Sequence, residues 1–399
     1  MSARGQVLAP VRVAGIADYD EAMRFTDLVF RPGQRGRRIV ESQYPHLYRQ
    51  EPGHARRLMI LRDGEGGLGP IIGCIGVHPI SLRSDEARIS VGGIGIVGAH
   101  PERRGEGIMT RLLHAAITRM QRQRKAVSVL TGDRLRYGRF GWENGGCSNL
   151  FSLTPRSTGE VNANRSLRLL RLSNGARRSV WKRIADIADR QPYGVVRNRM
   201  EQHAVMLRKG KEGWYCHSGE RFAYAVLSGP NRKSRPYVRV DEVGGESQLV
   251  QQILCQLMQR FHLSRLDGLS GPNPEEVEHF QSISESWSRI TDGMVRVNDI
   301  SLLCQQLEPL LRRRARNLAL RGVVRFINPE GGDPGILRLG RGGRSYRIEL
   351  DRQQLTRLLF GLVPVSEQAS DTAGLSCACR SLLNPLLPIP LYLPLLNRV

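Results

Sequence analysis

The stretch "GIVGAHPERRGEGIMTRLLHAA", Gly95 to Ala116, decides how the rest of the chain is read. Its first residues are small and apolar, as in a buried strand. Two arginines and two spaced glycines follow, and then Ile108, Leu112, Leu113, Ile117 and Met120 recur at three- and four-residue steps, the pattern of an amphipathic helix. A glycine turn opening a helix gathers backbone N–H groups into a nest for phosphate oxygens, and the helix dipole adds favourable potential. Arg104, Gly105, Gly107 and the helix from Ile108 have that form: Gly105 for the turn, Gly107 for close backbone approach, Arg103 or Arg104 for charge. The stretch is therefore read as a cradle for the pyrophosphate of a cofactor.

Working outward, strand VRVAG precedes a helix over EAMRFTDLVF with Asp18 or Asp20 available as its cap. Strands follow at RLMILRD, IIGCIGVHPISLR and ISVGGIGIVGAH, and the β-branched run AVSVLTGD reads as a buried strand after the helix. Beyond FSLTPRSTGE the chain turns polar, which sets a boundary near residue 155. Strand and helix patterns then resume in a similar order: helix SVWKRIADIADR, strands around GWYCHSG, RFAYAVLSG and YVRVDEVGG, helix QLVQQILCQLMQRFH, but no glycine cradle. A third part opens with a strand and helix in MVRVNDISLLCQQLEPLLRRRA and continues through GILRLGRGGRSYRIELD, read as a hairpin, and the helix DRQQLTRLLFG. The last stretch, NPLLPIPLYLPLLNRV, is apolar, and Pro385, Pro388, Pro390 and Pro394 forbid a continuous helix. An extended apolar segment of that kind needs a groove in the protein to dock into. These patterns predict a mixed α/β (α+β) chain divided at 1–155, 156–292 and 293–399.

Sixty Lys and Arg against 37 Asp and Glu give a net charge of +23, spread along the chain. Such a field attracts polyanions, phosphorylated cofactors among them. Aromatics are only 6% of residues, so the stacking platform of a single-strand binder is not evident. The seven cysteines lack framework spacing and, apart from Cys377 and Cys379, stand singly, which argues against a disulfide scaffold or a metal site. No run approaches the roughly 18 apolar residues of a membrane span. A cytoplasmic protein without metal is expected.

The passage "IVGAHPERRGEGIMTRLL" resembles the cofactor motif of the Gcn5-related N-acetyltransferase (GNAT) superfamily, Arg/Gln-x-x-Gly-x-Gly/Ala after a strand, here Arg104-Gly105-Glu106-Gly107-Ile108-Met109 with Met109 departing from the small final residue. "TGDRLRYGRFGWENGG", Thr131 to Gly146, is similar to the segment after the fifth strand in acetyltransferases of the enhanced intracellular survival (Eis) type. The resemblance implies two tandem GNAT folds, the second degenerate, followed by a sterol-carrier-protein-like domain. It implies acetyl-CoA as cosubstrate, a primary amine as acceptor (an aminoglycoside-like molecule or a protein lysine), and a homo-oligomer, of which a hexamer is one form. It further implies that the backbone of Val97, Gly98 and Ala99 pairs with the pantetheine arm. The residues Arg104, Gly105, Glu106, Gly107, Ile108, Met109 and Thr110 bind the pyrophosphate, while Gly132 and Asp133 lie where the thioester arrives. Tyr137 matches the general acid that protonates the CoA thiolate, and the carboxylate of Val399 matches the general base. The competing expectation is a non-catalytic lipid- or nucleic-acid-binding protein on a degenerate acetyltransferase fold.

Overall fold

The computed structural model describes residues 9–34, 38–158, 167–229, 238–368, 372 and 374–398. The first part runs β1 (Arg12–Val13), α1 (Tyr19–Phe30), two short helices α2 (Ile39–Gln43) and α3 (Pro52–Ala55), then β2 (Leu58–Arg62), β3 (Ile71–Ser84), β4 (Ala87–Ala99), α4 (Ile108–Arg122), β5 (Val127–Leu130), α5 (Arg134–Gly138) and β6 (Glu143–Gly145). Alternation assigns the faces. Met59 and Leu61 join Leu112, Leu113, Ala116 and Met120 of α4, while Leu58 and Ile60 join Tyr19, Ala22 and Met23 of α1 on the opposite face. Glycines set the seat of α4: a Cβ at Gly73 of β3 would lie 2.6 Å from Ile108 Cγ2, and one at Gly92 of β4 2.3 Å from Met120 Sδ. The small residues of these strands therefore bring the helix close to the sheet.

The second part runs β7 (Ser148–Leu153), β8 (Leu170–Arg171), α6 (Arg178–Arg190), β9 (Tyr193–Val195), α7 (Arg199–Met206), β10 (Lys211–Ser218), β11 (Arg221–Ser228), β12 (Arg239–Gly245), α8 (Ser247–Arg260), β13 (Leu266–Ser270), α9 (Pro274–Ile283), β14 (Ser286–Ile290) and β15 (Gly293–Val297). Its sheet has the order β14-β7-β13-β12-β11-β10-β8, with α8 packed on one face and α6 and α7 on the other. The run of antiparallel strands, helix and parallel strand in β10-β11-β12-α8-β13 repeats that of β2-β3-β4-α4-β5, because β12 pairs β13 in parallel as β4 pairs β5. The turn before α8 differs, however. A Cβ at Gly245 would stand 2.2 Å from the Phe222 carbonyl oxygen, whereas one at Gly105 or Gly107 would meet nothing within 4 Å.

Strands cross the expected boundaries. β7 lies before residue 155 yet belongs to the second sheet, between β13 and β14. β15 and β9 return to the first sheet, whose order is β1-β2-β3-β4-β5-β15-β6 with β9 on β3. The third part holds α10 (Ile300–Asn317), β16 (Gly322–Ile327), β17 (Gly335–Leu339), β18 (Arg344–Glu349), α11 (Arg352–Phe360) and α12 (Cys377–Leu383). Here the expected hairpin is corrected: β17 and β18 do not pair with each other but flank β16, one antiparallel and one parallel. Gly340, Gly342 and Gly343, at φ 76°, 76° and 92°, let the connecting loop wrap over the start of β16, so closely that a Cβ at Gly343 would lie 2.7 Å from the Arg321 carbonyl.

The apolar segment Leu386–Leu396 docks as its composition requires. Ile389 N–H donates to Leu359 O (2.7 Å), Cys147 N–H to Leu391 O (2.8 Å) and Ser84 Oγ to Pro390 O (2.7 Å); Leu386, Leu387, Leu391 and Leu393 join one core with α10, α11 and the back of β3, β4 and β5, while Leu396 packs with α6 and α7. The mixed α/β fold expected from the sequence is the fold observed.

Candidate active site

The site begins where β4 and β5 part. Their parallel pairing is limited to Val91–Gly93 with Val127–Val129. Beyond it β4 continues alone on that side through Val97, Gly98 and Ala99. A bulge falls where the register with β3 shifts between Cys74 and Gly76, and Ile96 sits in it at φ 44°. A left-handed β-branched residue costs on the order of 1–3 kcal/mol and persists only where its surroundings impose it. Gly98 is small for a steric reason: a Cβ there would come within 3.2 Å of Phe30 and Val29 of α1. Val97 and Ala99 pack on the side of α4.

Past β4, a short turn at Pro101–Arg103 leads to Gly105 (φ 90°) and Gly107 (φ 73°), the latter capping α4. A Cβ at either would meet nothing within 4 Å, so both face open space. Arg111 N–H donates to Gly107 O (3.0 Å), leaving the amides of Ile108, Met109 and Thr110, in the first turn of the helix, without a backbone acceptor among the described residues. Ile108 is buried on β3, Met109 packs against the same core, and Thr110 is exposed. The side chain of Met109 is thereby directed into the core.

The two arginines do different work. Arg103 donates to Glu106 Oε1 (2.6 Å) and Asp63 Oδ2 (2.8 Å), so its charge is matched and Glu106 is held to it. Arg104 is exposed and has no ion pair or hydrogen bond among the described residues. Open glycines, unpaired amides and one unmatched cation fit a pyrophosphate, and the bare edge of β4 fits an amide-bearing arm.

Tyr137 stands at the other side of the gap. Asp133 caps α5, its carboxylate accepting from Leu135 N–H at 2.9 Å, and the tyrosine ring lies against Gly132, where a Cβ would be 2.5 Å from Cε2. The ring is 8% exposed and meets Trp142 edge-on at 6.5 Å. Burial, with a smaller contribution from Asp133 and against Arg136, pushes its phenol above the ordinary value, so it carries its proton at neutral pH.

A cavity of about 240 Å³ joins these pieces, lined by Ile94 to Val97 of β4, by Leu130 and Thr131 at the end of β5, and by Tyr137. Its other wall was not foreseen: Phe30, Arg31, Val40, Tyr44, Leu47 and Tyr48. The paired tyrosines around Pro45 were the available signal, but nothing local says which face they present. Arg31 is the one charged side chain among the described lining residues, and it is held by Gln43 and by Phe30 O (2.7 Å). Behind the wall, Tyr48 hydroxyl meets His78 Nε2 at 3.2 Å and Arg208 lies 5.0 Å over the Tyr44 ring.

Val399 lies outside the described residues. The residues leading to it are held firmly. Asp292, buried, accepts from Ser148 Oγ (2.6 Å), Arg398 Nη2 (2.7 Å) and Leu393 N–H. Arg197 bridges Asn397 Oδ1 (Nε 2.8 Å) and both oxygens of Glu242 (2.9 and 2.6 Å).

Residues 10–145 match the acetyltransferase (GNAT) domain family. No curated protein sequence matches the chain. Among solved structures, a GCN5-related N-acetyltransferase from Kribbella flavida is 16% identical with a TM-score of 0.65, over 98% of this chain and 99% of that one. One from Anabaena variabilis is 14% identical with a TM-score of 0.69 over the same shares. Eis1 from Mycobacterium abscessus is 13% identical with a TM-score of 0.62, over 96% of this chain and 98% of that one. At such identities the likeness is one of fold, and it extends over almost the whole length of each chain. Residues 10–145 thus match the acetyltransferase (GNAT) domain family, within a mixed α/β fold shared over nearly the whole chain with solved N-acetyltransferases.

Proposed function

We propose that the protein transfers an acetyl group from acetyl-CoA to a primary amine by direct attack. One observation carries this reading: the cavity at the parting of β4 and β5 is lined by both the free end of β4 and Tyr137, with the open cradle at the start of α4 beside it. The cradle residues Arg104 to Thr110 would hold the pyrophosphate, and Val97 to Ala99 would pair with the pantetheine amides. Near neutral pH the acceptor is an ammonium and must lose a proton before its nitrogen attacks the thioester carbon. The carboxylate of Val399 is assigned that proton. As the C–N bond forms and the C–S bond breaks, the Tyr137 hydroxyl, a buried phenol that stays protonated, gives its proton to the leaving sulfur, and the second proton that the nitrogen sheds on becoming an amide restores the phenol. Arg31 as the charged lining group supports a neutral or acid-bearing amine, or a protein lysine, over a polycation such as an aminoglycoside.

The repeated strand order and the crowding of Gly245 against Phe222, unlike the open Gly105 and Gly107, support a degenerate second unit over about 156–292, and the same family reading makes 293–399 sterol-carrier-like. A cytoplasmic homo-oligomer belongs to this reading too. The exposed edge strand β14, with Trp287 47% exposed, supports association.

Thiol release from acetyl-CoA over a panel of primary amines tests the mechanism. Tyr137→Phe should lower kcat by about a hundredfold while leaving acetyl-CoA affinity, read by calorimetry, within about twofold. Adding one residue after Val399 should likewise lower kcat. Full activity in both variants would overturn the assigned acid and base.

A further inference from the structure

A groove of about 850 Å³ lies away from Tyr137, between α6 and α7. On α6, Arg178, Trp181 and Lys182 share one face by their three- and four-residue spacing, and Arg199 and His203 do so on α7. Arg49, next in sequence to Tyr48 of the acceptor wall, closes one end.

Two features of this groove point to a ligand. Arg49, Arg178, Lys182 and Arg199 have no ion pair among the described residues, and no carboxylate is among the groove's lining residues. Arg178 and Lys182, one helical turn apart, repel each other in this arrangement. The walls between the cations are apolar. Trp181 packs on His203 with ring centroids 4.5 Å apart, and its buried indole N–H has no acceptor among the described residues. Met200 stands 72% exposed beside them. The volume is that of a small-molecule site.

We propose that this groove binds an amphipathic anion, a long-chain aliphatic carboxylate, at a site separate from acyl transfer. The carboxylate lies at the Arg178–Lys182 end, where it turns their mutual repulsion into two charge-assisted hydrogen bonds. The alkyl chain covers Trp181 and Met200 and removes their surface from water.

Calorimetric titration of the full chain with monomeric dodecanoate tests the proposal, with dodecanol of the same chain length as the uncharged comparison. One dodecanoate per chain should bind, dodecanol more weakly, and the double variant Arg178→Gln, Lys182→Gln should bind dodecanoate about tenfold or more weakly. Near-UV circular dichroism checks that the variant is folded, and Arg199→Gln is a second variant with the same expected direction. Saturating acetyl-CoA should leave dodecanoate binding unchanged. Absence of binding, equal binding by the charge variants, equal binding of dodecanol, or competition by acetyl-CoA would each overturn it.

Discussion

His46 has neither ring nitrogen bonded among the described residues, although it is only 8% exposed. Burial is the main cause that pushes its pKa down to about 2, with the charges of Arg208 and then His78 and Arg197 adding to it. His78 is pushed down to about 3 by burial and then by Arg57. Both rings are therefore neutral in the fold, while the unfolded chain protonates each below about pH 6.5. Because the unfolded state then binds more protons, stability rises with pH up to that value and falls on acidification, by about 1.4 kcal/mol per pH unit for each imidazole. The thermal transition should drop between pH 7 and pH 5, and His46→Met should flatten that drop without a large loss at pH 7. Asp18 acts in a separate window. Arg12, opposed by burial and aided by the Gly15 amide and Arg62, holds its carboxyl well below the usual range, so its contribution is lost only as pH falls below about 4.

At the scale of elements, α4 is fixed by glycines of two kinds, and substitution separates them. Gly107 needs its left-handed conformation but faces open space, so Gly107→Ala should cost about 1 kcal/mol in stability and weaken acetyl-CoA binding through a displaced cradle. Gly73 is crowded by Ile108 and Leu112, so Gly73→Ala should lower stability by about 1–3 kcal/mol by forcing the helix off the sheet. Thermal unfolding and acetyl-CoA titration of the two variants should thus diverge. The helix itself was legible because an apolar 3.6-residue period and a glycine turn are local signals. The pairing of β17 and β18 was not: two strands joined by a glycine-rich loop read as a hairpin, and only the contact of Gly343 with Arg321 shows the loop wrapping over β16. The wall of Tyr44 and Tyr48 escaped for the same reason, since a cavity is made by elements that meet in space.

Across the whole molecule, a few buried polar anchors tie the parts together. Asp292 accepts from Ser148 and from both Leu393 and Arg398, so Asp292→Asn, which replaces one acceptor oxygen by a donor, should cost about 2 kcal/mol and speed carboxypeptidase release of the final residues. The docking of the proline-rich tail was legible from composition, since apolar residues that cannot be helical must find a groove. The exchange of β7 and β15 between sheets was not, because alternation tells which face of a strand is buried and never which sheet it joins. That exchange bears on how the protein is made. β5 gains its second neighbour only from β15, so during synthesis the first sheet keeps a bare strand edge until Val297 has left the ribosome. A nascent chain paused after residue 155 would present that edge to other chains, and a fragment cut there would not be an independent folding unit.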